Sequence, residues 1–276
     1  MRDFEGKTAF VTGGASGIGL GMAEAFVRRG VSVMLADVEQ GPLDAALLHL
    51  RGLGGRAEGM ICDVADRAQV ETAARATVEA FGKVHIVCNN AGVGTAGPVG
   101  EISPADWDWI VSVNLMGVVY GVDAFLPLIR AHGEGGAFVN TASMSGLVSA
   151  PGMEPYSATK YAVVAMSEGW ALQLAPEGIG VSVLCPGFVR TRIGESGRTR
   201  PERHGGPRQP AEAGPMGAQI AAGLDPVKVG ERVAEAVAAK ELYIITHPEM
   251  REPVRQRFER IMSGFDSAEA SAALRA

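Results

Sequence analysis

Thr8-Ala-Phe-Val-Thr-Gly-Gly-Ala-Ser-Gly-Ile-Gly19 is the stretch that decides the fold. Its first half is a short apolar run, of the kind that forms a strand buried on both faces. Its second half is a turn in which Gly13, Gly17 and Gly19 let the backbone bend sharply and come close to a ligand. A helical pattern over about residues 19–29 follows. Strand, glycine turn and helix in that order present a helix N-terminus, with free N–H groups and a positive dipole end, to an anion such as a pyrophosphate. The spacing is GxxxGxG rather than GxGxxG, so taken alone the motif also fits an ordinary glycine-rich βα turn.

Outward from this turn the same rhythm repeats. Apolar runs at 31–36, 57–62, 84–89, 137–141, 181–185 and 242–246 read as further strands. Helical patterns separate them, at about 43–53, 68–81, 105–131, 156–175 and 226–239. Such alternation predicts right-handed βαβ units, hence an α/β fold with a seven-stranded parallel sheet flanked by helices in a single doubly wound domain over residues 1–276. The length of 276 residues allows this without a disulfide or metal staple. Phe188–Leu224 breaks the rhythm, with Pro201, Pro207, Pro210 and Pro215 and six arginines from Arg190 to Arg208. A stretch this long without a period is expected to be a lid or binding loop, at about 188–225. The tail predicts one amphipathic helix at about 249–263 and a frayed end over 267–276.

Composition excludes several classes. Hydrophobic content of 47% against 20% charged residues is too apolar for disorder. A net charge of −6 argues against a nucleic-acid partner. The charged start at Met1–Lys7 lacks the apolar core of a signal peptide. The uncharged stretch Trp109–Val122 is a length expected of a buried core helix, so no membrane partner is expected. Cys62, Cys88 and Cys185 have no metal-ligand spacing. They read as buried free thiols, which points to the cytoplasm and to no metal.

Asp37 closes the second strand, 20 residues after Gly17, where a carboxylate can accept hydrogen bonds from an adenosine ribose. It would repel a ribose 2′-phosphate, and no Arg or Lys in the glycine turn or in Ala36–Gln40 offsets it, so NAD is expected over NADP. Tyr156 and Lys160, in Tyr-Ser-Ala-Thr-Lys, fall on one helix face. A phenol near pKa ~10 is a poor base, and a neighbouring ammonium is expected to lower that value. The pair can then exchange a proton with an alcohol or ketone. Asn89-Asn-Ala-Gly92, Ser143 and Pro186-Gly187 each follow a strand, at the sheet edge where open α/β sheets bind ligands.

With these residues together, the chain resembles the compact branch of the short-chain dehydrogenase/reductase family over roughly residues 5–246. The matching motifs are TGGASGIG (12–19), Asp37, Asp63-Val64, NNAG (89–92), Asn114, Ser143, YSATK (156–160) and PGFVRT (186–191). The resemblance implies that Tyr156 is the general acid/base. It implies that Lys160 lowers the pKa of Tyr156 and holds the nicotinamide ribose, and that Ser143 holds the substrate oxygen. Asn114 would hold a water linking Lys160 to solvent, although a buried amide can also serve only the core. Gly13, Ser16, Gly17, Ile18, Gly19 and Asp37 would bind the cofactor's pyrophosphate and ribose, and Asp63 and Val64 its adenine. Asn90, Ala91 and Gly92 would line the adenosine side, and Pro186, Gly187, Val189 and Thr191 the nicotinamide amide and pyrophosphate. Ser145 also follows the fifth strand, but the step of thirteen residues from Ser143 to Tyr156 matches the family. The family's usual Ser-Ser is Ala142-Ser143 here.

The implied activity is reversible, NAD-dependent hydride transfer on a secondary alcohol or ketone. Gly94–Val99, Ser145–Met153 and the lid would wall the substrate site. Met144, Leu147, Val148, Met153 and Phe188 are candidate liners, which favour a hydrophobic or aromatic substrate. RPERHG (200–205) and LYIITHPEMR (242–251) are similar to segments of bacterial lignin-type Cα-dehydrogenases, which act on benzylic alcohols. Two alternatives stand beside this reading: a carbonyl reductase on the same site, and a dinucleotide-sensing regulator without turnover. The family implies a homotetramer or homodimer paired through the helices at 105–131 and 156–175.

Overall fold

The computed structural model describes residues 4–208 and 215–275. Its strands are β1 (Thr8–Thr12), β2 (Ser32–Asp37), β3 (Ala57–Ile61), β4 (Ile86–Asn89), β5 (Gly136–Thr141), β6 (Ile179–Cys185) and β7 (Tyr243–Ile245). They form one sheet in the order β3-β2-β1-β4-β5-β6-β7, with every pair parallel. The chain runs outward from β1 on one side and from β4 on the other, so the switch point lies between them. There the loops after β1 and β4 part and leave a crevice.

Helices cover both faces. On one face α1 (Gly17–Val27), α2 (Gln40–Gly52) and α8 (Pro226–Ala239) bury Phe26, Leu43, Leu50, Val229 and Val233 against Val11, Val33 and Leu35. On the other, α3 (Arg67–Phe81), α4 (Pro104–Val111) and α5 (Gly117–His132) bury Val70, Ile110 and Phe125 against Phe10, Val87 and Phe138. The alternation of Val11 and Phe10 between faces is the period of two that a strand imposes. α6 (Glu154–Leu174) packs through Val163 and Val164 onto Val183 and Cys185. α1 and α8 cross closely because both carry glycine. A Cβ on Gly230 would lie 2.0 Å from the Gly21 carbonyl oxygen, and one on Gly21 would lie 2.2 Å from that of Pro226.

Three expectations need correction. The helix expected at 105–131 is divided: α4 and α5 are joined by a π turn at Ser112–Met116. The extra residue per turn leaves Asn114 fully buried rather than on a regular helix face. This long apolar segment passes a length and composition test for crossing a membrane, but Trp109, Ile110, Val122, Phe125 and Ile129 are buried in the core. Residues 188–224 are not structureless. Among the described residues they hold 3-10 turns at Ile193–Thr199 and Glu202–His204 and a helix α7 (Pro215–Ala221). A bridge between Val189 and Leu224 closes the excursion at its base. Pro210 lies outside the described residues. The C-terminal helix α9 (Arg251–Ala270) outruns the expected 263 and takes up part of the expected frayed end. Pairs such as Glu252–Arg255 and Arg255–Glu259, one turn apart, and an Ala-containing end favour that extension.

Candidate active site

All strand C-termini point to one edge, and the expected residues gather there. Ser16 caps α1 without a side-chain hydrogen bond, so the first-turn N–H groups keep their donor capacity for an anion. A Cβ on Gly13 would meet the Ala91 Cα at 2.9 Å, and one on Gly19 would meet the Gly13 carbonyl oxygen at 2.1 Å. Gly17 has φ of +53°, and a Cβ there would lie 2.9 Å from the Thr191 methyl group. Ile18 packs against the core from the same turn. The two Asp37 oxygens accept the Ala15 N–H at 3.0 Å and the Val38 and Glu39 N–H groups at 2.8 and 3.1 Å. This carboxylate therefore ties the end of β2 to the glycine turn. A glycine cradle, uncapped helical N–H groups and a strand-end acid fit a dinucleotide laid across the switch point.

Thr12, which opens the glycine motif but carries no expected role from the sequence, joins the two lips of the crevice. Its Oγ1 accepts the Asn90 and Ala91 N–H groups at 2.9 and 3.0 Å, while the Asn90 amide donates to the Thr12 carbonyl at 2.9 Å. Behind it, Asn89 donates to Asn140 at 2.9 Å, and Asn140 to Ser167 at 3.0 Å. This buried chain links β4, β5 and α6. Beyond β3, Asp63 accepts the Ala65 N–H at 3.0 Å, and Val64 is buried against Gly117.

Ser143 lies just beyond β5 and is buried, with its hydroxyl accepting the Ser145 N–H at 3.1 Å. Its hydroxyl donates to the Pro186 carbonyl at 3.4 Å, and it lies near enough to the Tyr156 phenol to favour the charged form of that group. One turn along α6, the Lys160 Nζ lies 5.5 Å from the Tyr156 ring centre and donates to the Thr141 carbonyl at 2.8 Å. Asn114 faces Gly92 from the opposite side. A Cβ on Gly92 would lie 3.5 Å from the Asn114 Oδ1 and 3.6 Å from the Lys160 Nζ. Both ends of the Asn114 amide hold the Val93 backbone, at 2.8 and 2.9 Å.

The electrostatics differ from expectation in one respect. Burial raises the Tyr156 pKa above that of a free phenol, and the nearby Ser143 hydroxyl only partly opposes it. Burial also lowers Lys160, to about 8. The ammonium is spent on Thr141 and is itself starved of water, so the phenol is not pulled down in the protein alone. Burial likewise pushes the thiols of Cys62 and Cys185 up to about 12, and all three cysteines are free and buried.

The turn Pro186–Phe188 is held by His247, another residue not singled out from sequence. Its Nδ1 accepts the Gly187 N–H at 3.0 Å, and its Nε2 faces the Phe188 carbonyl at 3.1 Å. Val189 is buried and Thr191 touches the glycine turn. The three expected walls meet: the Gly97 N–H donates to Gly152 at 2.9 Å, and the Gly94 N–H to Ser196 at 3.1 Å. Of the expected liners, Met144 is instead part of the core with Val118 and Val163, because the 3-10 turn after Ser143 rotates it inward. Phe188 is exposed, and Leu147 is half-buried. The arginines of residues 192–208 are paired with carboxylates. Arg198 and Arg192 pair with Glu39, Arg203 with Asp63, and Arg200 and Arg208 with Asp106. These partners are far away in sequence, which is why sequence reading missed them.

Comparison with known proteins finds relatives over most of the chain. A family model described as short chain dehydrogenase matches residues 7–202. A C alpha-dehydrogenase of Sphingobium sp. is 36% identical over 95% of this chain and 87% of its own. A 3beta-hydroxysteroid dehydrogenase 2 of Eggerthella lenta is 36% identical over 76% of this chain and 77% of its own. The crystal structure of a short chain dehydrogenase/reductase from Burkholderia phymatum in complex with NAD superposes with a TM-score of 0.91. It is 40% identical and covers 96% of this chain and 97% of that one.

Proposed function

The chain belongs to the short-chain dehydrogenase family, and from that premise we propose that it is an NAD-dependent dehydrogenase of a hydrophobic or aromatic secondary alcohol. The observation that carries the reading is the meeting of Ser143, Tyr156 and Lys160 beside Gly92, at the edge where the glycine turn and Asp37 lie. When bound, NAD would take up the hydride from the carbinol carbon.

The residues of the chain do the rest. Gly13, Ser16, Gly17, Ile18, Gly19 and Asp37 bind the pyrophosphate and ribose, Asp63, Val64 and Asn90–Gly92 the adenosine side. Pro186, Gly187, Val189 and Thr191 hold the nicotinamide end. The Ser143 hydroxyl and Tyr156 phenol face one point, where they hold the substrate oxygen. In oxidation Tyr156 first gives up its own proton and then, as the phenolate, takes the proton of the substrate hydroxyl; in ketone reduction the phenol donates that proton to the substrate oxygen. Lys160, poised near pKa 8, carries onward the proton that Tyr156 gives up, with Asn114 fixing the neighbouring backbone. The aromatic preference draws on the similarity to the C alpha-dehydrogenase and on the apolar Leu147, Val148, Met153 and Phe188. The three buried free thiols suit the reducing cytoplasm, and the helices over 105–131 and 156–175 supply the faces for a homotetramer or homodimer.

The test is cofactor reduction over a panel of aryl and aliphatic secondary alcohols, with NAD and with NADP, for the wild type and Tyr156→Phe. We expect turnover with NAD, best on aryl alcohols, and a loss of about 10²–10⁴-fold in kcat in the variant with NAD affinity retained. Tight NAD binding with no turnover on any alcohol or ketone would instead favour a sensing role.

A further inference from the structure

Ala36–Gln40 holds no cation of its own, but cations are present at that corner, Arg198 among them from 159 residues away. Arg198 grips the Glu39 carboxylate with two nitrogens, its Nε donating to Oε1 at 3.0 Å and its NH2 group to Oε2. Its third nitrogen donates to the Arg192 and Glu195 carbonyls at 3.4 and 3.1 Å, so the guanidinium is fixed in place. Arg192 stands 3.8 Å from the same Glu39 oxygen. Glu39 in turn hangs from Asp37 through its own N–H, and Thr191, next to Arg192, abuts Gly17. Two guanidinium groups therefore sit just past the strand-end acid, with the Glu39 carboxylate between them.

We propose that Glu39 is a second determinant of cofactor choice, acting by occupying Arg198 and Arg192. The inference rests on the NAD reading above. A guanidinium pair at the adenosine ribose is what a 2′-phosphate requires, since Arg binds phosphate with two parallel donors. As long as Glu39 holds both groups, a 2′-phosphate must displace a carboxylate to reach them, and it meets the charge of Asp37 as well. Without the Glu39 charge, the Arg198 guanidinium becomes a phosphate site with Arg192 beside it; Arg192 keeps its Nε on Glu195 at 3.0 Å, so Asp37 and Glu195 are the carboxylates left to oppose a phosphate. Asp37 is already engaged by three backbone N–H groups, so it holds the turn's shape in either case.

The experiment is titration calorimetry of NAD and NADP, and of adenosine 2′-monophosphate as a fragment, on the wild type, Glu39→Gln and Glu39→Gln/Arg198→Met. Glu39 makes no side-chain cap on α2, so thermal unfolding should show the variants folded. We expect Glu39→Gln to tighten NADP and the 2′-monophosphate by about tenfold or more. NAD should change by less than about threefold, and the double variant should lose the gain. A wild type that prefers NADP overturns the NAD reading, and this inference with it. A wild type that prefers NAD, with no gain in Glu39→Gln or with a gain that survives Arg198→Met, overturns this inference alone.

Discussion

Lys160 shows at the residue scale how a site works against the stability of its own fold. Its ammonium is buried and its pKa falls from 10.5 to about 8, chiefly through loss of water. The unfolded chain therefore binds this proton more tightly than the folded one. Stability should rise with pH between about 8 and 10.5, and at neutral pH the folded state carries the penalty. Lys160→Met should abolish turnover while raising unfolding free energy at pH 7 by about 1–3 kcal/mol, measured by urea titration. A fall would mean that the Thr141 hydrogen bond outweighs desolvation. The same pair fixes the pH dependence of catalysis. Because burial holds the Tyr156 proton above the ordinary phenol range, kcat/KM for alcohol oxidation should keep climbing from pH 7 past pH 8, with no plateau below about 8. Ketone reduction should run the other way. Tyr156, Lys160, Ser143 and Asp37 were legible in the sequence because each sits at a fixed offset from a strand or helix. The direction of the Tyr156 shift was not, since i, i+4 spacing shows proximity and says nothing of burial. Thr12 and His247 were hidden for a related reason: their partners at Asn90 and Gly187 come from other strands.

At the scale of elements, the strands were legible because a strand buried on both faces is a short apolar run and little else in the chain imitates it. Helix joints were not legible. The π turn at Ser112–Met116 leaves no mark in the sequence, because its Ser-Val-Asn-Leu-Met run carries neither the proline nor the glycine that would signal a break. α1 and α8 were each visible, but not their crossing, which depends on glycines more than 200 residues apart. That crossing carries its own prediction. A methyl group on Gly21 or Gly230 would fall inside 2.2 Å of a backbone oxygen, with no flexible side chain to yield. Gly21→Ala should therefore cost about 1–3 kcal/mol or more, and because α1 carries the glycine turn on its first residues, NAD affinity should fall with it. Gly41→Ala in α2, where nothing lies within 4 Å, should leave stability unchanged or raise it by about 0.5 kcal/mol. Urea midpoints and calorimetric titration of the two variants together separate a packing clash from a general effect of losing glycine.

Over the whole molecule, the sheet has two edges with different work. At the N-terminal edge, Glu134 gathers Lys7, Lys83 and His85 into an ionic knot that also includes His132 through its backbone. The His85 and His132 nitrogens are taken by Thr8, Glu134 and Val84, so this cluster joins β1, β4 and β5 rather than offering open ligand positions. At the C-terminal edge the segment 192–208 spans the crevice and is fastened by Arg198 to Glu39, by Arg203 to Asp63 and by Arg200 to Asp106. Arg200 is 1% exposed and also lies 5.4 Å over the Trp109 ring. Ser103 and the two arginines hold the Asp106 carboxyl below its usual pKa despite burial, and Arg198 does the same for Glu39. Carboxylates so depressed add stability above the ordinary carboxylate range, and that stability is lost as pH falls through their lowered values. The apolar packing of the sheet has no such dependence, and the Glu134 carboxyl at its other edge is held far below the usual range by Lys83, Lys7 and His85, so the fastening should fail before the sheet does. Asp106→Asn, which leaves the buried Arg200 without its anion, should expose the arginines of this segment. Trypsin at pH 7.5 should then cut within 198–208 at least about tenfold faster than in the wild type, with Tm lowered by only a few degrees. In the wild type, hydrogen exchange should reach the amides of this segment before those of the strands as the pH is taken below the ordinary carboxylate range, about 4, and on through the lowered values of these carboxylates. If Asp106→Asn instead unfolds the entire chain in one step, the segment is part of the cooperative core and cannot open on its own to admit a cofactor.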